Sequence, residues 1–421
     1  MKLKICHVEQ LKGTLSISGS KNASLPLMAC SLLTHEPICL SHFPDITDTL
    51  CMKDILASIG VEIQYTPDEQ KMILTKKQIK PDLSMDLIRQ IRASYYIMGA
   101  LVGCHVSFET VYPGGCNFSK RPIDYHIDAF EKLGYQIREV SGKLIFQRPK
   151  NQKKEDVHIH LPQKSVGTTI NILLASTKRK GKVSISNAST EPEVLEVIAL
   201  LKQMGARIDV LQDTIYIEGV RKLKGASFTI MSDRIEAGSY LLLASAIPHA
   251  HVTLQNVDIQ YIEEVIHTLQ DMGLQMNIED NQIEIINDVP LIGTTTIVDI
   301  YPHFPTDLQQ ILSAVCLSVT SPSRIKDLVY PNRFSQIEAI KKMGGKMTIE
   351  EDVLHIFPST LMGTTIQAYD LRCGFACIIL GAIANNTTII ENAQIILRGY
   401  EQIIPKLKSI GVSIQILENE R

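Results

Sequence analysis

The sequence contains no tryptophan, and aromatic residues make up only 5% of its 421 residues. Its 42 lysines and arginines are balanced by 45 aspartates and glutamates, for a net charge of −3. No run of lysine and arginine forms a patch of the kind that binds nucleic acid or anionic lipid. We therefore expect neither nucleic acid nor a membrane surface among its partners.

Long apolar runs and a disulfide framework are also missing. FACIILGAIA (375–384) is among the longest apolar runs, and it falls well short of the ~20 residues that a membrane-spanning helix needs. The opening MKLKICHVEQLKG contains no apolar core typical of a secretory signal. The nine cysteines are odd in number, and Cys373 and Cys377 have no histidines nearby that would favour a metal site over the core. These features predict a cytoplasmic protein with reduced thiols.

What the sequence does contain is a sixfold repeat. A helical pattern that ends in an apolar residue and a glycine, followed by a short strand, recurs every 67 to 74 residues, with its glycines at Gly60, Gly134, Gly205, Gly273, Gly344 and Gly411. Apolar residues recur at i, i+3, i+4 and i+7, as in Val194, Val197, Ile198 and Leu201, and the same offsets begin at Ile262 and Tyr400. This pattern predicts six amphipathic surface helices, each closed by its glycine.

A second helical pattern also recurs six times and is apolar on nearly every side. Its copies are SLPLMACSLL, SYYIMGALVG, TTINILLAS, GSYLLLASAI, LQQILSAVCL and GFACIILGAIA. A helix that is apolar all round belongs in a core. With strands such as VSIS, VTLQN and TTIIEN between the helices, six α+β units could form one solenoid or two domains of three units. Two domains are favoured, because regular solenoids rarely use fully apolar helices.

Five of these six buried helices have a cation at their start, and the cations are Lys21, Arg92, Lys164, Arg234 and Arg372. A cation there opposes the helix dipole, so a purely structural role predicts aspartate, serine or threonine instead. Any one of them could be a solvated cation or the partner of a nearby aspartate. Five cations at the same position of the repeat favour binding sites for small, multiply anionic substrates.

Three aspartates share that register: Asp233, Asp307 and Asp370. Each could be a helix N-cap. A cation-rich site also needs an ionised base if a hydroxyl group is to become a nucleophile, and one of these aspartates would serve.

Cys116 lies in the loop YPGGCNFSKRP (112–122), after two glycines and before Lys120 and Arg121. It could be an exposed loop residue that happens to be cysteine. Alternatively, the cations lower the pKa of its thiol and the glycines let the loop move, as in a reactive lid.

Nine motifs, in order from about residue 10 to the C-terminus, resemble those of UDP-N-acetylglucosamine 1-carboxyvinyltransferases, the enolpyruvyl transferases that open bacterial peptidoglycan synthesis. They are SGSKNASLP, PGGC with RPIDYH, SVGTTINI, EPEVLEV, DRIEAG, FPTDLQ, NRFSQIEAI, DLRCG and ILRGYEQI. The resemblance implies an α/β fold: a two-domain inside-out α/β barrel of six repeated α+β units, three per domain. It implies one domain at 21–231, with a mobile cysteine loop at about 112–122, and a second at 1–20 plus 232–421. The active site is expected in the cleft between them.

The resemblance also implies a reaction. The 3-hydroxyl of UDP-N-acetylglucosamine adds to C2 of phosphoenolpyruvate while C3 is protonated, and phosphate then leaves the tetrahedral ketal. This is the first committed step of peptidoglycan synthesis, hence of cell wall biogenesis. No metal or other cofactor is implied, and the sequence carries no signal for oligomerisation.

Site residues follow from the same motifs. For catalysis they are Cys116 as proton donor and covalent partner of phosphoenolpyruvate, Asp307 as base at the acceptor hydroxyl, and Asp370 as second candidate for proton handling. For phosphoenolpyruvate they are Lys21, Asn22, Arg121, Arg372 and Arg398. For the UDP-sugar they are Arg92, Arg121, Pro122, Ile123, Asp124, Tyr125, Lys164, Ser165, Val166, Gly167, Asp307 and Val329. His126, on an apolar helix stripe, is expected to be packed rather than catalytic.

Three positions depart from the pattern that the resemblance implies, so the chain is a divergent copy. Thr47 stands where a lysine is usual, Ser119 replaces a glycine, and Lys164 is displaced by one position. The alternatives left open are an enolpyruvyl transferase acting on a different nucleotide sugar and a non-catalytic UDP-sugar-binding regulatory paralogue. The related 3-phosphoshikimate 1-carboxyvinyltransferase shares the fold, but it lacks the PGGC loop and the RP-x-D turn.

Overall fold

The structure, a computed structural model, describes residues 1–80, 83–114, 123–150 and 154–417. These residues divide into two compact units. The first unit comprises Met1–Ser18 together with the described residues from Ser232 onward. The second unit comprises the described residues from Gly19 to Met231.

The helices of the described residues are, in chain order, α1 (Lys21–Cys30), α2 (Thr47–Ser58), α3 (Met85–Ile88), α4 (Tyr95–Gly103), α5 (Asp124–Lys132), α6 (Val166–Ser176), α7 (Pro192–Gln203), α8 (Arg234–Ala246), α9 (Glu263–Asp271), α10 (Thr306–Val315), α11 (Ile337–Lys342), α12 (Leu371–Ile383) and α13 (Ile403–Ser409). Short 3-10 turns cover Ser31–Leu33, Pro67–Glu69, Arg92–Ser94, Ile259–Tyr261 and Ala393–Arg398.

The strands are β1 (Lys2–Ile5), β2 (Lys12–Ser16), β3 (Ile38–Ser41), β4 (Val61–Thr66), β5 (Lys71–Lys76), β6 (Phe108–Val111), β7 (Gln136–Val140), β8 (Lys143–Gln147), β9 (Val157–His160), β10 (Lys182–Ser186), β11 (Arg207–Leu211), β12 (Thr214–Glu218), β13 (Ala226–Thr229), β14 (Ala250–Gln255), β15 (Gln275–Glu279), β16 (Gln282–Asn287), β17 (Thr295–Val298), β18 (Ser323–Asp327), β19 (Lys346–Glu350), β20 (Val353–Phe357), β21 (Thr365–Gln367), β22 (Thr388–Glu391) and β23 (Ile414–Leu417).

The sheets repeat one plan. In the first unit their orders are β21-β22-β1-β23, β15-β16-β14-β2 and β17-β18-β20-β19; in the second they are β11-β12-β10-β9, β13-β3-β5-β4 and β6-β8-β7. Each four-stranded sheet has one parallel pair at an edge and is otherwise antiparallel. The start of the chain belongs with its C-terminal half, because β1 pairs with β22 and β23 and β2 pairs with β14. The α/β fold of repeated units is thus confirmed.

The six apolar helices are buried, as predicted. They are α1, α4 and α6 in the second unit and α8, α10 and α12 in the first. In α12 every residue from Leu371 to Ala382 is buried. α4 packs against α6, and α10 packs against both α8 and α12. Packing within each unit's own core therefore fixes the position of these helices, including their starts.

The repeat glycines close the surface helices. All six have a positive φ, between 87° and 103°, a backbone conformation that favours glycine. One surface helix is shorter than its apolar pattern predicts. Tyr400 lies before α13, because Gln402 has a left-handed φ of 47° and the helix begins only at Ile403.

Within the described ranges, each helix is too short or too polar to cross a lipid bilayer.

Candidate active site

The five predicted cations lie at the starts of buried helices. Lys21 opens α1, Arg92 opens the 3-10 turn before α4, Lys164 precedes the N-cap residue of α6, Arg234 opens α8, and Arg372 is the second residue of α12. The remaining helix, α10, carries Asp307 as its second residue instead. The cations that recur at one position of the sequence repeat therefore also recur at one position of the fold, the start of a buried helix.

Lys21 is paired with an aspartate that the sequence analysis did not identify. Its Nζ lies 3.0 Å from Oδ2 of Asp48, and the two side chains are only 12% and 5% exposed. The carboxylate of Asp48, in α2, offsets the unfavourable placement of a cation at a helix start. Asn22, the second residue of α1, is half-buried beside Lys21.

The start of α6 has the form of an anion-binding helix terminus. Ser165 is its N-cap, and its Oγ accepts a hydrogen bond from the backbone N–H of Thr168 at 3.3 Å. Val166 and Gly167 form the first turn, and a Cβ atom at Gly167 would lie 2.7 Å from the hydroxyl oxygen of Tyr95. A side chain at this position would require the Tyr95 ring to move. The N–H groups of the first turn point along the helix axis, where an anion can bind.

Arg92 contributes positive charge in the same unit. Its guanidinium carbon lies 5.8 Å from the ring centroid of Tyr95. Lys164 is half-buried beside the N-cap of α6. These positions agree with a role beside a diphosphate, and that role stays a prediction.

α5 carries the predicted uridine residues. Ile123 is buried at its N-cap position, Asp124 is exposed and Tyr125 is half-buried. His126 is buried and accepts a hydrogen bond from Nδ2 of Asn171 at 2.8 Å. Burial and the charge of Arg92 lower the pKa of His126 to about 3, so the ring is neutral. The prediction that His126 is packed is confirmed.

Cys116, Arg121 and Pro122, together with Ser119, lie outside the described residues. Their assigned roles remain predictions from the sequence.

Asp307 is held between two arginines in the first unit. Its Oδ1 accepts a hydrogen bond from Nη1 of Arg333 at 2.8 Å, and its Oδ2 accepts from Nη2 of Arg372 at 2.8 Å and from Nε at 3.2 Å. Both arginine side chains are only 4% exposed, whereas that of Asp307 is 27% exposed. The Asp307 side chain is therefore partly exposed, whereas both arginine side chains are buried.

The charge state of Asp307 follows from these neighbours. Burial raises its pKa, but the charges of Arg372 and Arg333 and their hydrogen bonds outweigh burial, so the pKa lies well below its ordinary value. An ionised carboxylate of this kind can accept a hydrogen bond from a substrate hydroxyl. It is also a weak proton acceptor, since a general base works best with a pKa near the operating pH. The role of Asp307 as the base at the acceptor hydroxyl stays a prediction.

Arg333 is a second residue of the candidate site that the sequence analysis did not identify. It lies in NRFSQIEAI (332–340), a motif that runs into the surface helix α11, whereas the repeated cations stand before the buried helices. Its Nη1 also donates to the backbone oxygen of Thr306 at 3.2 Å. A guanidinium that contacts both the carboxylate and the helix start fixes where Asp307 points.

Asp327 organises the segment that carries Val329. Its Oδ2 accepts from Oγ1 of Thr306 at 2.6 Å, and its Oδ1 accepts from the backbone N–H of Val329 at 2.9 Å and of Tyr330 at 2.8 Å. Because the N–H of Val329 is donated to Asp327, a backbone contact from Val329 to a sugar would use its carbonyl oxygen.

Two of the three register aspartates are N-caps. Oδ1 of Asp233 accepts from the N–H groups of Ile235 and Glu236 at 2.9 Å, and Asp370 caps α12 in the same way. Asp307 is not a cap, since the cap position of α10 is Pro305. The aspartate assigned to the acceptor hydroxyl is thus the one that the fold does not require as a cap.

Arg372 remains a cation in its buried position. Burial lowers its pKa, but the charge of Asp307 outweighs burial and raises the pKa above its usual value. Its guanidinium carbon lies 5.4 Å from the ring centroid of Tyr400. Arg398, the last residue of the 3-10 turn Ala393–Arg398, is half-buried in the same unit.

Among the residues that the structure describes, no three or more histidine, cysteine, aspartate or glutamate side chains form a group that could hold a metal ion.

Comparison with known proteins shows what this chain is similar to. The family model described as EPSP synthase (3-phosphoshikimate 1-carboxyvinyltransferase) matches residues 5–407. UDP-N-acetylglucosamine 1-carboxyvinyltransferase 2 of Listeria innocua serovar 6a is 38% identical over 416 residues, which cover 98% of this chain and 97% of that protein. The protein of the same name from Bacillus cereus (strain ZK / E33L) is 36% identical over 417 residues, which cover 98% and 96%.

Two solved structures share the fold. The enolpyruvyl transferase NikO from Streptomyces tendae has a TM-score of 0.86 at 18% identity, covering 98% of both chains. EPSP synthase from Acinetobacter baumannii has a TM-score of 0.77 at 18% identity, covering 99% of this chain and 100% of that one. The chain belongs to the EPSP synthase family of enolpyruvyl transferases. The resemblance to UDP-N-acetylglucosamine 1-carboxyvinyltransferases that the motifs predicted is confirmed.

Asp307→Asn should lower the free energy of unfolding near pH 7 by about 1–3 kcal/mol, because two buried guanidinium groups lose their charged partner. The folded-state pKa of Asp307 is depressed. Its contribution is therefore full above the unfolded-state pKa of ~3.9 and is lost as the pH falls from there toward the folded-state pKa. The difference between the variant and the native protein should shrink over that window.

Urea denaturation at several pH values measures this difference. Asp271→Asn, an exposed change at the end of α9, is the matched control and should stay within about 0.5 kcal/mol of the native protein. Equal stability of the two variants, or a deficit that does not change with pH, would contradict the assigned ion pairs.

Proposed function

We propose that this chain transfers the enolpyruvyl group of phosphoenolpyruvate to the 3-hydroxyl of UDP-N-acetylglucosamine and releases phosphate. The observation that carries this proposal is the match, over 98% of the chain, to relatives named UDP-N-acetylglucosamine 1-carboxyvinyltransferase 2. The reaction is the first committed step of peptidoglycan synthesis, and the protein acts in the cytoplasm.

In the first unit, Asp307 receives the acceptor hydroxyl. Support comes from its position as an ionised, partly exposed carboxylate between Arg333 and Arg372. Arg372 and Arg398 supply positive charge for phosphoenolpyruvate and its phosphate, and Val329 offers its carbonyl oxygen to the sugar. Cations placed where negative charge develops stabilise the transition state most when they are already fixed, as Arg372 is.

In the second unit, Lys21 and Asn22 bind phosphoenolpyruvate at the start of α1. The UDP moiety binds to Arg92, Lys164 and the first turn of α6, whose N–H groups suit a diphosphate. The uridine contacts Ile123, Asp124 and Tyr125 at the start of α5, together with Arg121 and Pro122 just before it. Asp48 keeps Lys21 in place at the helix start.

The chemical steps balance without a metal. The acceptor oxygen bonds to C2 of phosphoenolpyruvate while the thiol of Cys116 gives its proton to C3, which becomes a methyl group. As this bond forms, the hydroxyl proton passes to the carboxylate of Asp307, which also orients the hydroxyl. The thiolate of Cys116 then takes a proton from the methyl group of the tetrahedral ketal, and the C2–C3 double bond re-forms. Phosphate departs with the C2–O bond electrons and takes up the proton held by Asp307.

Purified protein should release phosphate from phosphoenolpyruvate when UDP-N-acetylglucosamine is added. Asp307→Asn should lower kcat by a factor on the order of 10²–10⁴, because the hydroxyl is no longer oriented by a charged acceptor. A coupled phosphate assay measures both, and Asp271→Asn should match the native rate.

The same assay separates the alternatives. Release with 3-phosphoshikimate but not with UDP-N-acetylglucosamine would assign the acceptor named by the family model. Release only with another UDP-sugar would overturn the choice of sugar. Calorimetric binding of UDP-N-acetylglucosamine without any turnover would favour the non-catalytic paralogue.

An epoxide phosphonate that mimics phosphoenolpyruvate should alkylate Cys116 alone. The other eight cysteines are buried or half-buried, and burial raises the pKa of Cys104 and that of Cys316, the latter to about 12. They are therefore poorly accessible to the reagent, and at least these two are thiols rather than thiolates. Intact mass followed by peptide mapping locates the adduct.

Two variants control that experiment. Cys116→Asp should abolish the adduct and keep part of the activity, since a carboxylic acid can still donate a proton. Cys39→Ser, at a half-buried thiol, should leave both unchanged. An adduct on any cysteine other than Cys116 would remove the support for its role.

A further inference from the structure

Asp370 accepts four hydrogen bonds inside the first unit. Its Oδ1 accepts from the backbone N–H groups of Arg372 at 2.9 Å and Cys373 at 3.1 Å. Its Oδ2 accepts from Oγ of Ser335 at 2.5 Å and from Nε2 of Gln310 at 3.2 Å. The residue is only 2% exposed. Because a carboxylate offers about four acceptor sites, these four donors occupy the group.

The two side-chain donors also contact each other. Nε2 of Gln310 donates to Oγ of Ser335 at 2.7 Å. Gln310 lies on α10, one turn after Asp307, and Ser335 lies two residues after Arg333. Three separate segments therefore meet at Asp370: α10, the turn before α11, and the start of α12.

These are the same three segments that supply the Asp307 site. α10 carries the carboxylate, the turn before α11 carries Arg333, and the first turn of α12 carries Arg372. A donor lost from Asp370 would loosen the cap of α12 and the turn before α11, and so the geometry of both arginines at Asp307.

We propose that Ser335 and Gln310 are positioning residues for the enolpyruvyl transfer: they hold Asp370 as the cap of α12 and thereby set Arg372 and Arg333 against Asp307. The inference rests on the proposed function. Asp370 then acts through the hydrogen bonds that it accepts from these segments.

A buried hydroxyl on α10, the helix that carries Gln310, provides a matched control. Oγ of Ser313 donates to the backbone oxygen of Gln310 at 2.6 Å and accepts from Nε2 of Gln336 at 3.0 Å. It is fully buried, and neither of these two hydrogen bonds involves Asp370. Ser313→Ala thus removes a buried hydroxyl on α10 without removing a donor from the cap.

Ser335→Ala should lower kcat for phosphate release about tenfold, because a hydrogen bond to a charged group is lost from the cap. The KM for UDP-N-acetylglucosamine should stay within about twofold, since the UDP contacts are not altered. Ser335→Thr, which keeps the hydroxyl, should return kcat to within about threefold of the native value. Ser313→Ala should lower Tm by a similar amount to Ser335→Ala and leave kcat within about twofold.

Equal kcat values for Ser335→Ala and Ser313→Ala would overturn the proposal, as would a failure of Ser335→Thr to restore the rate. If Ser335→Ala does not fold, Gln310→Met takes its place: it keeps the side-chain length, removes both donated bonds and should lower kcat about threefold. An unchanged kcat in that variant would also overturn the proposal. A native protein inactive with phosphoenolpyruvate and UDP-N-acetylglucosamine would refute the proposed function, and this inference with it.

Discussion

The ion pairs of Asp307 with Arg333 and Arg372 are the interaction on which the first unit's chemistry depends. Two guanidinium groups that are 4% exposed would be strongly unfavourable without a charged partner, and one carboxylate serves both at 2.8 Å. The same contacts draw together the start of α10, the start of α12 and the segment before α11. The carboxylate that pairs with both arginines belongs to a side chain that is partly exposed, and we propose that it receives the acceptor hydroxyl.

Buried charged groups are also paired with an opposite charge elsewhere in the chain. Lys21 in the second unit is offset by Asp48. In the first unit, the buried Glu236 accepts from Nζ of Lys406 at 2.7 Å and from the backbone N–H of Ser18 at 2.7 Å. In each case a cation has a carboxylate partner on another segment. This arrangement lets cations occupy or approach helix starts, where the helix dipole alone would disfavour them.

Much of this organisation could be predicted from the sequence because it is periodic. The six repeat glycines adopt positive φ, the six apolar helices are buried, and the five cations lie at helix starts, since each of these follows from spacing alone. The exact start of a helix is harder to predict from the pattern. Tyr400 fits the apolar stripe, yet α13 begins only at Ile403, because Gln402 has a left-handed backbone conformation. The partners of the cations were harder to predict. Arg333 and Asp307 are 26 residues apart and Arg372 and Asp307 are 65 apart, and no local pattern encodes such contacts.

The most direct test of this account is a double-mutant cycle on kcat with Asp307→Asn, Arg333→Gln and the two combined. If Arg333 acts by holding Asp307, the double variant should be about as slow as Asp307→Asn alone, because residues that act as a unit are not additive. If the two losses instead multiply, Arg333 and Asp307 act independently. The central claim, that a paired and oriented carboxylate receives the acceptor hydroxyl, would then be wrong.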